Sequence, residues 1–217
     1  MIDKITAILK QHDPDFGRAL QGAEERIMRR PDHGDYSIYR PDPDYAAVEL
    51  PLKAAAVLIP VVDRPEGASI LLTKRADHLK NHSGQVSFPG GRCDPEDQTA
   101  QETALRETYE EVGIAPDYVR IIGAMEDYET VTGYTVTPVV GIVRPGFSLS
   151  RHEGEVADIF EVPLDYILNE KNHALQSREW KGRMRYYYVY ENHRHNIWGA
   201  TAAMLVRFAK LVNEAQK

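Results

Sequence analysis

An α/β domain is the expectation from this sequence, and three observations carry it. β-rich runs at residues 53–62 and 68–73 flank Asp63-Arg64-Pro65-Glu66-Gly67, a turn signal that joins two strands as a hairpin. The segment ETALRETYEEV has helical period and is followed by Gly113, a favoured helix stop. Strand-like runs at 119–126, 135–143 and 183–190 and a helical closing run at 198–212 then mix the two element types along the rest of the chain. Residues 1–50 open with a short helical pattern at Ile2, Ile5, Ile8 and Leu9 and turn polar and Pro/Asp-rich around residues 30–44. They read as an N-terminal extension, with the main domain and its C-terminal helix at 51–217.

Composition agrees with one compact domain. A chain of 217 residues with 42% hydrophobic content is long enough to bury a full core. The net charge of −7 argues against nonspecific binding to nucleic acid or acidic membranes, while local recognition of a small nucleotide stays open. Cys93 is the single cysteine, which excludes an internal disulfide framework and fits a reducing compartment. With no long apolar run and no signal peptide, the cytoplasm is the expected location. A homodimer is left open.

The helix before Gly113 carries the most specific chemistry. At about 100° per residue, Glu111 and Glu110 lie about 40° and 60° to either side of Glu107, so three carboxylates share one ridge. Leu105, Tyr109 and Val112 fall on the opposite side and are expected to pack on a sheet. Like charges at these spacings repel, and a cation would relieve them. Carboxylates and backbone carbonyls are hard oxygen donors that suit Mg²⁺ or Mn²⁺, with Mg²⁺ the default. Mg²⁺ is usually held by one or two carboxylates plus substrate phosphates. Taken alone, a Glu-Glu pair on an amphipathic helix is more often a solvated face.

The surrounding residues change that reading. Gly91, Arg106, Glu107, Glu110, Glu111, Gly113 and Ile114 resemble the box of the Nudix hydrolases, G-x5-E-x7-R-E-U-x-E-E-x-G-U, in which U is bulky and aliphatic. Thr108 stands where U is usual. Gly91 to Arg106 is one step longer than the box, and Gln98 occupies the place of its first Glu, with Glu96 and Asp97 the nearest acids. The preceding stretch LLTKRADHLKNHSGQVSFPGGRCD is similar to the signature of the coenzyme A pyrophosphatase branch, with Lys80 where Arg is usual. Trp198-Gly199-Ala200-Thr201-Ala202 resembles that branch's W-G-x-T-A. The resemblance implies an α/β/α sandwich on a mixed sheet. It also implies cleavage of the diphosphate of coenzyme A or its derivatives to 3′,5′-ADP and 4′-phosphopantetheine or its acylated form. Two other readings stay open: a Nudix hydrolase of another nucleoside diphosphate derivative, such as ADP-ribose or a dinucleotide, and a non-catalytic nucleotide-binding module.

Charge placement supports an anionic substrate. Lys74, Arg75, Lys80 and Arg92 face only Asp77 between residues 74 and 92, whereas residues 94–111 are strongly acidic. Arg75 is the candidate for phosphate contact. His82, in a Gly- and Ser-containing loop, could bind phosphate, move a proton or order its loop. Glu107, Glu110 and Glu111, with a carbonyl of Gly90 or Gly91, are the candidate metal ligands, and Arg106 is expected to orient the ridge. Nudix enzymes often take a further ligand or base from a loop after the box, which makes Glu155 the first candidate here and Glu153 the second. The expected reaction is in-line attack of water on a diphosphate phosphorus, with Glu110 or Glu155 accepting the proton. Tyr186 and Tyr188 share one strand face and could stack on adenine, although alternating aromatics more often belong to a core or sheet surface.

Overall fold

The computed structural model describes residues 1–12, 34–38, 52–180, 182–191 and 195–214. The Pro/Asp-rich stretch around 30–44 lies mostly outside them. Helix α1 (Ile2–His12) and a short α2 (Asp35–Ile38) precede the first strand. Strands β1 (Lys53–Val62) and β2 (Ser69–Arg75) form the expected antiparallel pair, with Val61 opposite Ile70. Short β3 (Val86–Ser87) and β4 (Gly90–Arg92) lead into α3 (Ala100–Val112), the box helix. Then come β5 (Val119–Ala124), β6 (Tyr128–Glu129), β7 (Tyr134–Val143), β8 (Val156–Pro163), α4 (Leu164–Leu168), β9 (His173–Trp180), β10 (Arg183–Glu191), β11 (Asn196–Trp198) and α5 (Gly199–Glu214).

The large sheet runs β3-β2-β1-β7-β5, with β4 added to β1, β6 to β7 and β8 to β2. β1 and β7 are parallel over their full length and the other pairs are antiparallel, so the sheet is mixed. Alternation along β1 separates two cores. Ile59 and Val61 join Ile70, Leu72 and the apolar sides of α1, α4 and α5, whereas Ala56 and Leu58 meet Ala104 of α3. This is the α/β/α sandwich. A second sheet, β11-β10-β9, packs on α5 through β10. There the fully buried Tyr190 donates its hydroxyl to the Ile167 carbonyl at 3.1 Å. No helix among the described residues is long and apolar enough to cross a membrane.

Helix α1 belongs to this core. Ile5 and Leu9 are fully buried, and the helix lies over β5 where Gly123 offers no side chain: a Cβ there would stand 2.9 Å from the Leu9 Cβ. Truncating a buried Leu loses its transfer energy and leaves a cavity, so Leu9→Ala should lower stability by about 2–5 kcal/mol. Urea denaturation followed by circular dichroism measures it.

Candidate active site

The box helix begins and ends as its residues dictate. The Thr99 side chain accepts from the Glu102 amide at 3.2 Å, and the Glu102 carboxylate accepts from the Gln98 amide at 2.6 Å, so both side chains satisfy otherwise orphaned donors at the helix start. Gly113 closes the helix at φ 79° and donates to the Tyr109 carbonyl at 2.9 Å. The packed face includes Val112 as expected but otherwise differs from the expected one. Thr103, Ala104, Thr108, Glu111 and Val112 are buried, while Tyr109 is 57% exposed. The sheet opposite presents Ala56, Leu58 and Val139, and this surface takes the small residues of the helix in preference to its large ones. Thr108 fits because its hydroxyl bonds back to the Ala104 carbonyl at 2.6 Å. Glu111 is therefore carried into the helix–sheet seam instead of pointing away from it.

Two glycines make room for the carboxylates. β4 pairs with β1, Gly91 opposite Ala56 and Gly90 opposite Val57. A Cβ on Gly91 would stand 2.5 Å from the Glu107 carboxylate. The Gly90 amide donates to Glu111 Oε2 at 3.3 Å. Glu111 is only 4% exposed, and burial, reinforced by the nearby charges of Glu107 and Glu155, raises its pKa to about 8 despite the Gly90 amide and Arg75. Burial also raises Glu107, against the pull of Arg106.

The sign of the resulting pH dependence follows from linkage. Between the ordinary carboxylate range and about pH 8, folded Glu111 holds a proton that the unfolded chain has released, so stability falls as pH rises. The metal-free protein should melt at progressively lower temperature from about pH 5 to about pH 8. Saturating Mg²⁺ should reduce the decline by compensating the ionised form, and Glu111→Gln should flatten it. Thermal melts in chelator, with and without added Mg²⁺, give the comparison.

Arg106 ties the ridge to the loop before the helix. Its Nε and Nη2 reach the two oxygens of Asp97 at 3.2 and 2.8 Å, and Nη2 also donates to the Arg92 carbonyl at 3.2 Å. Its Nη1 donates to Glu107 Oε1 at 2.9 Å and Glu110 Oε2 at 3.2 Å. The guanidinium, with help from the Asp94 backbone and Thr103, holds Asp97 down to about 2.

These groups open onto one cleft of about 570 Å³, whose lining combines the acids Asp94, Glu107, Glu110, Glu111 and Glu155 with Arg75, Arg92, Arg106 and His152. Arg75 Nε is buried with no hydrogen-bond partner among the described residues. The loop bearing Glu155 is fastened to the end of α3 by its backbone: Ser150 N donates to the Val112 carbonyl at 2.9 Å and His152 N to the Glu111 carbonyl at 3.0 Å. No three acidic, His or Cys side chains among the described residues already converge on one point. A divalent cation nevertheless fits this donor set, because Glu111 is a buried carboxylate with a single long hydrogen bond beside further hard oxygen donors.

A comparison with known families bears on the same residues. The NUDIX domain model matches residues 52–184, more than half of the chain. The chain belongs to the Nudix family. It is 44% identical over 163 residues, covering 74% of this chain and 80% of the relative, to the "Uncharacterized Nudix hydrolase NudL" of Yersinia pestis (strain Pestoides F), and equally to that of Yersinia pseudotuberculosis serotype O:1b (strain IP 31758). The crystal structure of the MutT protein from Methanosarcina mazei Go1 shares the fold at a TM-score of 0.51 and 19% identity, over 79% of this chain and 99% of that one. With family and fold agreeing, the protein is a Nudix hydrolase, of a family that generally uses divalent metal ions.

Within this Nudix framework, the predicted site residues separate into two groups. Arg75, Gly90, Gly91, Arg106, Glu107, Glu110, Glu111 and Glu155 all line the cleft. His82 does not. It sits at φ 56° in an exposed loop with Nδ1 2.9 Å from Gln85 Oε1, an arrangement that orders the loop. Glu153 is also outside the cleft lining, and Lys74 pairs with Asp77 at 3.6 Å. His152 was missed; its only signal is its place three residues before Glu155. Asp97 was noted only as an acid near Gln98, and the extra residue in the box is the signal that moves the inward-facing acid by one place.

Proposed function

We propose that this Nudix hydrolase is a divalent-metal-dependent diphosphatase of coenzyme A or its derivatives, releasing 3′,5′-ADP and 4′-phosphopantetheine or its acylated form. One observation carries the reading. The two stretches that resemble the coenzyme A branch, 115 residues apart at their contact, meet in the fold: the buried Thr201 hydroxyl donates to the Val86 carbonyl at 3.0 Å. The first of them also contributes Arg75, Gly90 and Gly91 to the acidic cleft. A motif that borders the site, braced by a second motif that touches it, suits a role in choosing the substrate.

Glu107, Glu111 and Glu110, with a carbonyl of Gly90 or Gly91, would hold Mg²⁺ or Mn²⁺. Once bound, the cation polarises the phosphate and lowers the pKa of an attacking water. Arg75 neutralises phosphate oxygens, its buried Nε being ready to donate. Water attacks phosphorus in line, the new P–O bond forming as the anhydride P–O bond breaks. Glu155 accepts the water's proton at the cleft rim, whereas the Glu110 carboxylate is already engaged by Arg106. The substrate is a soluble nucleotide, the location cytoplasmic, and neither nucleic acid nor membrane is a partner.

Arg75→Gln removes a charge-assisted contact worth roughly 1.5–3 kcal/mol, so kcat/KM should fall about 10- to 100-fold, with a larger KM as the main component. Steady-state kinetics across substrate concentrations separates the two parameters. The substrate assignment is tested by incubating the protein with coenzyme A, ADP-ribose and NADH separately, with Mg²⁺ or Mn²⁺, and resolving products by chromatography beside Glu111→Gln. Fastest release of 3′,5′-ADP from coenzyme A is the expected result. Faster cleavage of either other substrate would overturn the assignment and leave the family chemistry standing.

A further inference from the structure

We propose that Asp97 sets the affinity of the cleft for its divalent cation by confining Arg106 to a single nitrogen, Nη1, on Glu107 and Glu110. This rests on the cation reading of the site and goes beyond it, because Asp97 itself lines no part of the cleft.

Arg106 is the cation already present among the acids. A guanidinium offers a planar fork that pairs best with one carboxylate through two nitrogens. Here that two-nitrogen grip is spent on Asp97, through Nε at 3.2 Å and Nη2 at 2.8 Å, and Nη2 is further held by the Arg92 carbonyl. Only Nη1 faces the ridge, where it is shared between Glu107 and Glu110. The remaining oxygen positions of both carboxylates are left for a metal ion. Without the Asp97 charge, the fork is free to swing onto Glu107 or Glu110 and compete with the metal for the same oxygens.

Asp97 is built to resist that swing. Its side chain is 7% exposed, and its Oδ2 also accepts from Thr103 Oγ1 at 2.8 Å and from the Asp94 amide at 3.0 Å. The anchor therefore belongs to the folded loop between β4 and α3 and does not move with the arginine. Its neighbour Gln98 cannot replace it: the Gln98 amide is held by Glu102 and its side chain donates to the Glu96 carbonyl at 3.3 Å. Asp97 is thus a positioning residue that acts through Arg106.

The experiment is Mn²⁺ binding to the full-length protein without substrate, read from the electron paramagnetic resonance signal of the free ion. Asp97→Asn should weaken binding about tenfold or more, the scale on which outer partners tune metal sites. The double variant Asp97→Asn/Arg106→Gln should recover much of that loss, because the competing guanidinium is gone. A purely structural role for Asp97 would not produce this recovery. Wild-type affinity in Asp97→Asn, or no recovery in the double variant, overturns the proposal. Should Asp97→Asn fail to fold by circular dichroism, Thr103→Val decides: it removes one bond to the anchor and should shift affinity in the same direction, and an unchanged affinity overturns the proposal. Glu111→Gln measured alongside keeps the two levels apart. If it binds Mn²⁺ as the wild type does, the cation reading itself fails.

Discussion

Glu111→Gln is expected to lower kcat/KM on the order of 10³-fold, about 4 kcal/mol of transition-state stabilisation, while leaving the protein folded and, without metal, more stable at neutral pH. The two effects have one cause. Glu111 lies 4% exposed in the seam between α3 and β4, with the Gly90 amide at 3.3 Å as its hydrogen bond. A buried carboxylate in that setting is a burden on the fold until a cation offsets it, and the amide of Gln keeps the shape without the charge. Added Mg²⁺ should not restore the rate, since the lost oxygen donor is part of the site itself. Kinetics and thermal melts on the same preparations check both halves. A variant that loses activity and stability together would mean that Glu111 is a packing residue first.

Gly90→Ala is expected to damage the fold, and Gly91→Ala mainly the chemistry, although the residues are adjacent. Gly90 has φ 153°, and a Cβ there would stand 2.5 Å from the Ala56 carbonyl oxygen and 2.6 Å from the Val57 Cα. Those are backbone atoms of a central strand and cannot yield without moving the sheet. Strain and overpacking together should cost about 2–5 kcal/mol, a fall in Tm of roughly 10 °C for a chain of this size. At Gly91 the clash is with the tip of Glu107, a side chain that can turn away and in doing so leave the metal-binding position. Paired melting curves and Mg²⁺ titrations of the two alanine variants should show opposite emphasis.

Much of this was legible in the sequence, for reasons that differ by element. The run at 53–62 became β1 without adjustment because it is long, apolar and bounded by a turn signal. The helix end was equally clear, since Gly113 supplies the left-handed conformation that the chain needs there. The packing face of α3 was legible only at Val112. A helical wheel ranks Leu105, Tyr109 and Val112 as its apolar side, and Val112 is buried as expected, but the rest of the burial was decided by the small residues of β1 and β7 opposite. β9 was hidden for a related reason: Ala174 to Glu179 are all exposed, so no buried face imprints a pattern on them. In the site, local spacing singled out Glu107, Glu110 and Glu111, which line the cleft. Asp97 and His152 needed the fold, because one enters through a loop and the other through a segment some forty residues downstream.

The fastening of residues 150–155 to α3 also bears on how this site can vary among related chains or be re-engineered. Glu155 is delivered to the cleft by main-chain donors, Ser150 N and His152 N, satisfying the carbonyls that α3 leaves open in its last turn. Every amino acid except proline carries that donor. The side chains at 150 and 152 are therefore open to substitution without displacing the acid, and a library randomised at His152 can explore new contacts with the substrate on an unchanged scaffold. The intolerant position is Gly113, where a Cβ would stand 2.8 Å from both the amide nitrogen and the Cβ of Ser150. Diversity at the rim is in this way bounded by one residue that never meets the substrate.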